Sequence, residues 1–235
     1  VAPASFDLPA TRIMSLMADG NNLWAGTIND GLFFIDRTKK EITHYKRLIT
    51  QSNSLSADGI TSLLRLDENT ILIGTYGGGL NELDIENGKF THYQRDDADR
   101  NSISSNRVIA LLRDSAGVIW VGTENGLNRF DPDRGDFQRF NFSYDRATSL
   151  SSDMAWALHE DKNNNLWIGT QSGGLNKWSP EDRANRLENF TQYSENVGLP
   201  SADIYTITSD RDGNIWTSHN RGISRFNPFT LETKN

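Results

Sequence analysis

The 235-residue chain contains no cysteine. Thiolate metal sites, disulfides and cysteine nucleophiles are therefore excluded, while the compartment stays open, because many exported bacterial proteins also lack cysteine. No apolar run approaches the roughly 18 residues a membrane-spanning helix needs, so direct membrane insertion of this region is not expected. There is no basic face either: 24 Lys and Arg are scattered among 31 Asp and Glu, for a formal net charge of -7. Nucleic acid is thereby disfavoured as a partner, since a phosphate footprint needs clustered cations. Serine, histidine and acidic residues show no spacing that suits a nucleophilic triad or a metal site. No cofactor and no metal are expected.

What the chain does have is a repeat. Leu23-Trp24-Ala25-Gly26-Thr27 returns as Ile71-Leu72-Ile73-Gly74-Thr75, Ile119-Trp120-Val121-Gly122-Thr123 and Leu166-Trp167-Ile168-Gly169-Thr170. A worn fifth copy is Ile215-Trp216-Thr217-Ser218-His219. Steps of 48, 48, 47 and 49 residues separate the copies, a period that signals a propeller, solenoid or array.

Each unit reads as four short runs broken by Gly, Asn and Asp. In the second unit these are 60–66, 70–75, 80–84 and 90–93, with turn clusters between them. Runs of this length with partial or clean alternation make a four-stranded meander. One such sheet has two apolar faces and two edges, so copies must pack face to face around an axis. The expected fold is an all-β propeller of four-stranded antiparallel blades, with about five blades present. Trp24, Trp120, Trp167 and Trp216 are expected to fill the wedges between blades, with Leu72 in the remaining copy.

Asn101-Ser102-Ile103-Ser104-Ser105-Asn106-Arg107-Val108, followed by Asp114 to Gly117, Ile119 to Thr123 and Gly126-Leu127-Asn128-Arg129-Phe130-Asp131-Pro132, resembles the two-component regulator propeller repeat. Asn53-Ser54-Leu55-Ser56 with Gly78-Gly79-Leu80-Asn81, and Gly173-Gly174-Leu175-Asn176, extend the resemblance. The fifth unit departs, with Ser218 for Gly and His219 for Thr. The resemblance implies the periplasmic, ligand-sensing part of a bacterial receptor whose output is a histidine kinase or a diguanylate cyclase. It also implies more blades, often seven, and so an incomplete ring here. With Val1 as first residue and an unfinished last blade, the chain reads as a piece of a longer sensor. One propeller region over residues 1–235 is expected, with repeats at approximately 8–46, 55–94, 103–141, 150–194 and 199–235.

Several motifs invite chemistry and are read more simply. The Asp161 and Asp210 turns resemble calcium loops, but their twelfth positions are Ser172 and Arg221, which cannot close such a site. They read as hairpin turns with a capping carboxylate. The Gly-rich segments after Thr75 and Thr170 lead into strands, not into the helix a phosphate loop requires. Asp30, Asp58, Glu124, Asp153 and Asp203 fall in turns, yet Asp58, Asn106 and Asp153 are repeat-equivalent and read as caps. Enzymatic activity is therefore not expected of this region; a propeller lyase or glycosidase is the alternative it leaves.

If the first strand of each blade is innermost, one rim gathers the loops entering first strands and the turns joining second to third strands. Function on such a scaffold sits on these loops. The residues departing from the repeat there are Arg12, Asn29, Asp30, Tyr76, Arg107, Glu124, Asn125, Trp156, Gln171, Tyr205, His219 and Arg221. Aromatic faces beside amides, carboxylates and guanidinium groups suit a small polar ligand, an oligosaccharide among them. Trp156 and Tyr205 share a first-strand position where packing would equally explain them. His44 and His92 are repeat-equivalent on outer strands and are not expected to bind. A homodimer formed through the full-length receptor is a further expected partner, and a docking platform the alternative role.

Overall fold

The computed structural model describes residues 11–234. Positions 8–10 of the first expected repeat, and Asn235, lie outside the described residues. Five four-stranded antiparallel sheets follow one another, each in simple sequential strand order. The chain divides into two compact units, Val1–Asp96 with Asn106–Val108, and Asp97–Ser105 with Ile109–Asn235.

The first unit holds two sheets. One contains β1 (Ile13–Asp19), β2 (Asn22–Thr27), β3 (Leu32–Asp36) and β4 (Glu41–Tyr45); the other contains β5 (Ile60–Arg65), β6 (Thr70–Thr75), β7 (Leu80–Asp84) and β8 (Lys89–Tyr93). Strand β1 lies against β5, so first strands are the inner ones. Between the sheets, Trp24 and Leu32 of the first pack on Leu55, Ile60, Ile71, Ile73 and Leu83 of the second. The Trp24 ring sits 4.5 Å from Phe34 and 5.9 Å from Tyr45.

The second unit takes up most of β9 (Val108–Arg113), then β10 (Ile119–Thr123), β11 (Gly126–Asp131) and β12 (Asp136–Phe140). A second sheet comprises β13 (Ala155–Glu160), β14 (Leu166–Thr170), β15 (Gly174–Trp178) and β16 (Phe190–Tyr193). The third comprises β17 (Thr206–Ser209), β18 (Ile215–His219), β19 (Gly222–Phe226) and β20 (Thr233–Lys234). Among the described residues, helix is confined to α1 (Pro180–Ala184) between β15 and β16, plus one 3-10 turn at Glu195–Val197. Trp120 packs with Leu150, Leu166, Ile168 and Trp178, while Trp167 packs with Leu199, Ile204, Ile215 and Phe226.

This packing explains the glycine of the Gly-Thr signature. A Cβ on Gly26 would lie 2.5 Å from Ile60 Cγ2, and one on Gly169 would lie 2.6 Å from Ile204 Cγ2. The start of the next blade's first strand occupies that space, so no side chain fits. At the fifth copy Ser218 is half-buried and its hydroxyl meets Thr206 Oγ1 at 2.8 Å. The expectation for Trp216 fails in the same place. It is 38% exposed, against 0% for Trp24 and Trp167, because no following sheet lies over it among the described residues.

A carboxylate stands at each first turn, at Asp19, Asp67, Asp114, Asp161 and Asp210. Asp114 Oδ1 accepts from Ala116 N and Val118 N, while its Oδ2 accepts from Trp120 Nε1 at 2.8 Å. Asp161 with Trp167 (2.8 Å) and Asp210 with Trp216 (2.9 Å) repeat this across six residues, and Asp19 with Trp24 (3.0 Å) across five. At Asp114, Asp161 and Asp210 the carboxylate also caps its turn, whereas Asp19 turns its second oxygen to Arg65. At Trp24, Trp120 and Trp167 it satisfies an indole N–H that packing would otherwise bury unpaired. Where Leu72 replaces the tryptophan, the Asp67 carboxylate keeps only its bond from Asn69 N.

Candidate ligand-binding rim

Three recurring devices fix the rim loops. The first is the threonine of Gly-Thr. Its hydroxyl donates across the turn between second and third strands, Thr27 to Gly31 O, Thr75 to Gly79 O, Thr123 to Gly126 O and Thr170 to Gly174 O, at 2.7–3.0 Å. These glycines are left-handed; a Cβ on Gly79 or Gly174 would also collide with the carbonyl of Tyr93 or Tyr193 on the outer strand.

The second device is a buried asparagine. Asn81, Asn128 and Asn176 each accept from the backbone N–H of Ser56, Ser104 or Ser151 at 2.9–3.0 Å. Each also donates through Nδ2 to the same serine's hydroxyl at 2.6–2.8 Å. All three are fully buried, so the Ser-x-Ser loop (54–56, 102–104 and 149–151) is pinned to its own blade. The third device is the repeat-equivalent set Asp58, Asn106 and Asp153. Their Oδ1 atoms accept from Arg47 N, Arg95 N and Phe142 N at 2.7–2.8 Å. They clamp the chain leaving each outer strand, eleven residues earlier, a structural role as expected but across the loop instead of as a cap of their own turn.

The departing residues stand on these pinned loops. In the first unit, Arg12 is exposed and its carbonyl accepts from Ile28 N at 3.0 Å. Asn29 is exposed beside Asp30, whose carboxylate is ion-paired with Lys46 at 2.5 Å. That ammonium holds the Asp30 carboxyl below the usual carboxylate range, with His44 adding in the same direction. Outer-strand His44 reaches this turn, its Nε2 lying 2.6 Å from Asp30 O. Tyr76 is 55% exposed, and the Arg107 guanidinium sits 4.7 Å from its ring centroid in a cation–π contact.

In the second unit, Trp156 and Tyr205 come together as a stacked pair, with ring centroids 5.4 Å apart and planes 30° from parallel. Ladder pairing jumps from Ala155↔Thr170 to Ala157↔Gly169, so Trp156 is the extra residue of a β-bulge. The same shift falls at Met14 and Thr61 in the first unit. A bulge turns its extra side chain away from the alternation, and here it leaves Trp156 half-buried beside a 43%-exposed Tyr205. Nothing in the apolar pattern announces this bulge.

The remaining residues are engaged to different degrees. Asn125 is half-buried; it donates to Ser104 O at 3.2 Å, and its own carbonyl accepts from Asn141 at 2.8 Å. Glu124 is half-buried beside it, and Gln171 is anchored through its backbone N–H to Met154 O. His219 is 6% exposed and performs a structural task. Its Nδ1 accepts from Arg221 N at 3.1 Å, which makes Nε2 the protonated nitrogen donating to Ser224 Oγ at 2.7 Å. One imidazole thereby closes the turn that threonine closes elsewhere. Burial pushes its pKa down, and Arg221 adds to the shift. Arg221 itself is exposed.

The geometry describes a repeat propeller whose loops are pinned by backbone-directed side chains and whose unique residues stand on top of them. The chain carries the two-component regulator propeller repeat, matched at residues 102–125, 149–172 and 198–221. Comparison with curated proteins gave no match. Over 96% of its length the chain is similar to the extracellular domain assigned to the hybrid two-component system BT3049 of B. thetaiotaomicron, with 25% identity and a TM-score of 0.80. The corresponding domain of system BT4673 from the same organism aligns over 97% with 21% identity and a TM-score of 0.64. PorZ, a surface component of the type-IX secretion system of Porphyromonas gingivalis, aligns over 96% with 15% identity and a TM-score of 0.69. The latter two likenesses establish the fold alone. The chain spans about a third of these structures: 30%, 37% and 33% of their lengths.

Proposed function

We propose that this chain is part of the extracytoplasmic sensor region of a bacterial two-component signalling receptor, with kinase or cyclase output lying outside these residues. Its task is binding, and the ligand is a small polar molecule of oligosaccharide type held on the rim loops. The receptor class is supported by the three repeat matches together with the likeness to the BT3049 extracellular domain. The observation that carries the ligand class is the Trp156–Tyr205 pair, an aromatic platform raised by a bulge on a loop-rich edge. Stacked rings beside amides and guanidinium groups take a sugar's C–H face and hydroxyls together.

The acidic candidates favour binding over hydrolysis. Asp58, Asp153 and Asp203 spend carboxylate oxygens on backbone N–H groups, and Asp30 is neutralised by Lys46. Calorimetric titration of the whole extracytoplasmic region against a glycan panel tests the reading. Tyr76→Ala, Arg107→Ala and Arg221→Ala should each weaken binding with the fold intact, and His92→Ala should not. Unchanged affinity in all three rim variants would remove the site assignment. Crosslinks placing those residues against a second protomer would make the region a docking platform instead.

A further inference from the structure

The second unit has a second concave feature, at the strand ends opposite the rim. Connections between third and fourth strands are short in most sheets: 37–40, 85–88 and 132–135 are four residues each, and 227–232 is six. In the sheet β13–β16 this connection runs over 179–189, eleven residues. It carries α1, begun by Ser179 Oγ accepting from Asp182 N at 3.0 Å. Arg186 then adopts φ +57°, and Leu187 O accepts from Trp178 Nε1 at 2.8 Å, folding the insertion back over its own blade.

This insertion walls a cleft of about 390 Å³ against the sheet β9–β12. The cleft opens into a shallower trough of about 840 Å³ along β11 and β12. Either part falls within the usual size of a small-molecule site. Both parts are lined by Arg129, Gln138 and Arg186. Beneath them Trp120 and Trp178 meet edge to face at 5.5 Å, each 3% exposed, so the floor is rigid and apolar.

The charges of the cleft are unevenly satisfied. Asp114 is held by its turn and by Trp120. Glu160 accepts from Ser115 N at 2.6 Å and Ser115 Oγ at 3.0 Å, and lies 3.6 Å from Arg183. Arg183 donates further to Trp178 O and Asn164 O, bolting the insertion down. In the trough Asp131 faces Arg134 at 3.8 Å. Arg129 and Arg186 have no side-chain partner among the described residues, and both are exposed at the shared lip. Arg129 stands directly across the ladder from Trp120, and Gln138 directly across from Arg129. Asp136 also lines the trough, and Asp114 the cleft.

We propose that this groove is a binding site for a small ligand carrying two or more oxyanionic groups. Arg129 and Arg186 grip it bidentately, and the Gln138 amide donates beside them. The positive lip is local: the chain as a whole carries a net charge of -7. General attraction of anions to the protein therefore does not account for it.

The test follows the indole N–H resonances of Trp120 and Trp178 in the 235-residue chain. Citrate, digalacturonate and inorganic sulfate are titrated in turn, with cellobiose as the neutral counterpart. Citrate or digalacturonate should shift both resonances at about millimolar concentration or below, and cellobiose should not. Arg129→Ala and Arg186→Ala should each weaken the effect about tenfold, with Lys at either position restoring part of it. Both residues are exposed, so these variants should keep the wild-type spectrum elsewhere. Trp156→Ala, on the rim, should leave the anion-induced shifts of Trp120 and Trp178 as they are, which separates this site from the proposed sensor site. No shift with any of the three anions would overturn the proposal. So would equal weakening by Arg37→Ala, an exposed arginine of the first unit, since that would mean non-specific charge attraction.

Discussion

A carboxylate that caps a turn and also receives an indole N–H joins local backbone order to blade packing. Asp161 accepts from Asn163 N, Asn165 N and the Asn165 amide as well as from Trp167, and burial alone would raise its pKa. These hydrogen bonds outweigh burial and hold it below the usual carboxylate range. Asp161→Ala should cost about 3 kcal/mol, since it strands buried donors, whereas Asp67→Ala should cost about 1 kcal/mol or less. Urea melts of the two variants check the difference. Histidine gives a pH signature of opposite origin. Burial holds the imidazoles of His219 and His159 below their ordinary value, against nearby acids in the second case. The folded chain then prefers neutral rings, while the unfolded chain takes protons near pH 6.5. That contribution is complete above about pH 6.5 and is lost as pH falls below it. Asp210, held at about 2 first by the Trp216 indole, contributes above about pH 4 and loses that contribution as pH falls towards 2. Thermal melts should therefore decline in two stages on acidification, and His219→Gln should flatten only the first.

At the scale of the blade, the repeat is a list of close approaches. Trp167 is fully buried between its sheet and the next, so Trp167→Ala should cost about 3–5 kcal/mol. Trp216 occupies the equivalent place with 38% exposure, and its replacement should cost about 1 kcal/mol. Denaturant melts showing equal losses would mean that the fifth blade's face is covered. The four-stranded plan was legible in the sequence because Gly, Asn and Asp mark every turn, and because left-handed positions such as Gly79 admit little else. The Asp-to-Trp interval was also there to be read, at 19 and 24, 114 and 120, 161 and 167, 210 and 216. What could not be read was occupancy. Asp30 looked available, but Lys46 reaches it from beyond the outer strand, and His219 looked like a rim ligand but serves its own hairpin. The bulge at Trp156 and the cleft under α1 depend on register and on neighbouring blades, which a pattern of apolar residues does not encode.

In each of the two units, backbone-directed side chains pin the loops, and on the proposed function specificity is left to the few side chains standing clear of them. On that reading, recognition falls on the rim and not on the outer strands. Hydrogen–deuterium exchange of the extracytoplasmic region, with and without a binding oligosaccharide, reads this directly at peptide resolution. Protection is predicted in the peptides holding Tyr76 to Gly79, Asn106 and Arg107, Met154 to Trp156, and Asp203 to Tyr205. The opposite turns at Asp114 to Val118 and Asp161 to Asn165, and the outer strands β4, β8, β12 and β16, should exchange as before. Protection confined to those turns or outer strands, with the rim peptides unchanged, would contradict it.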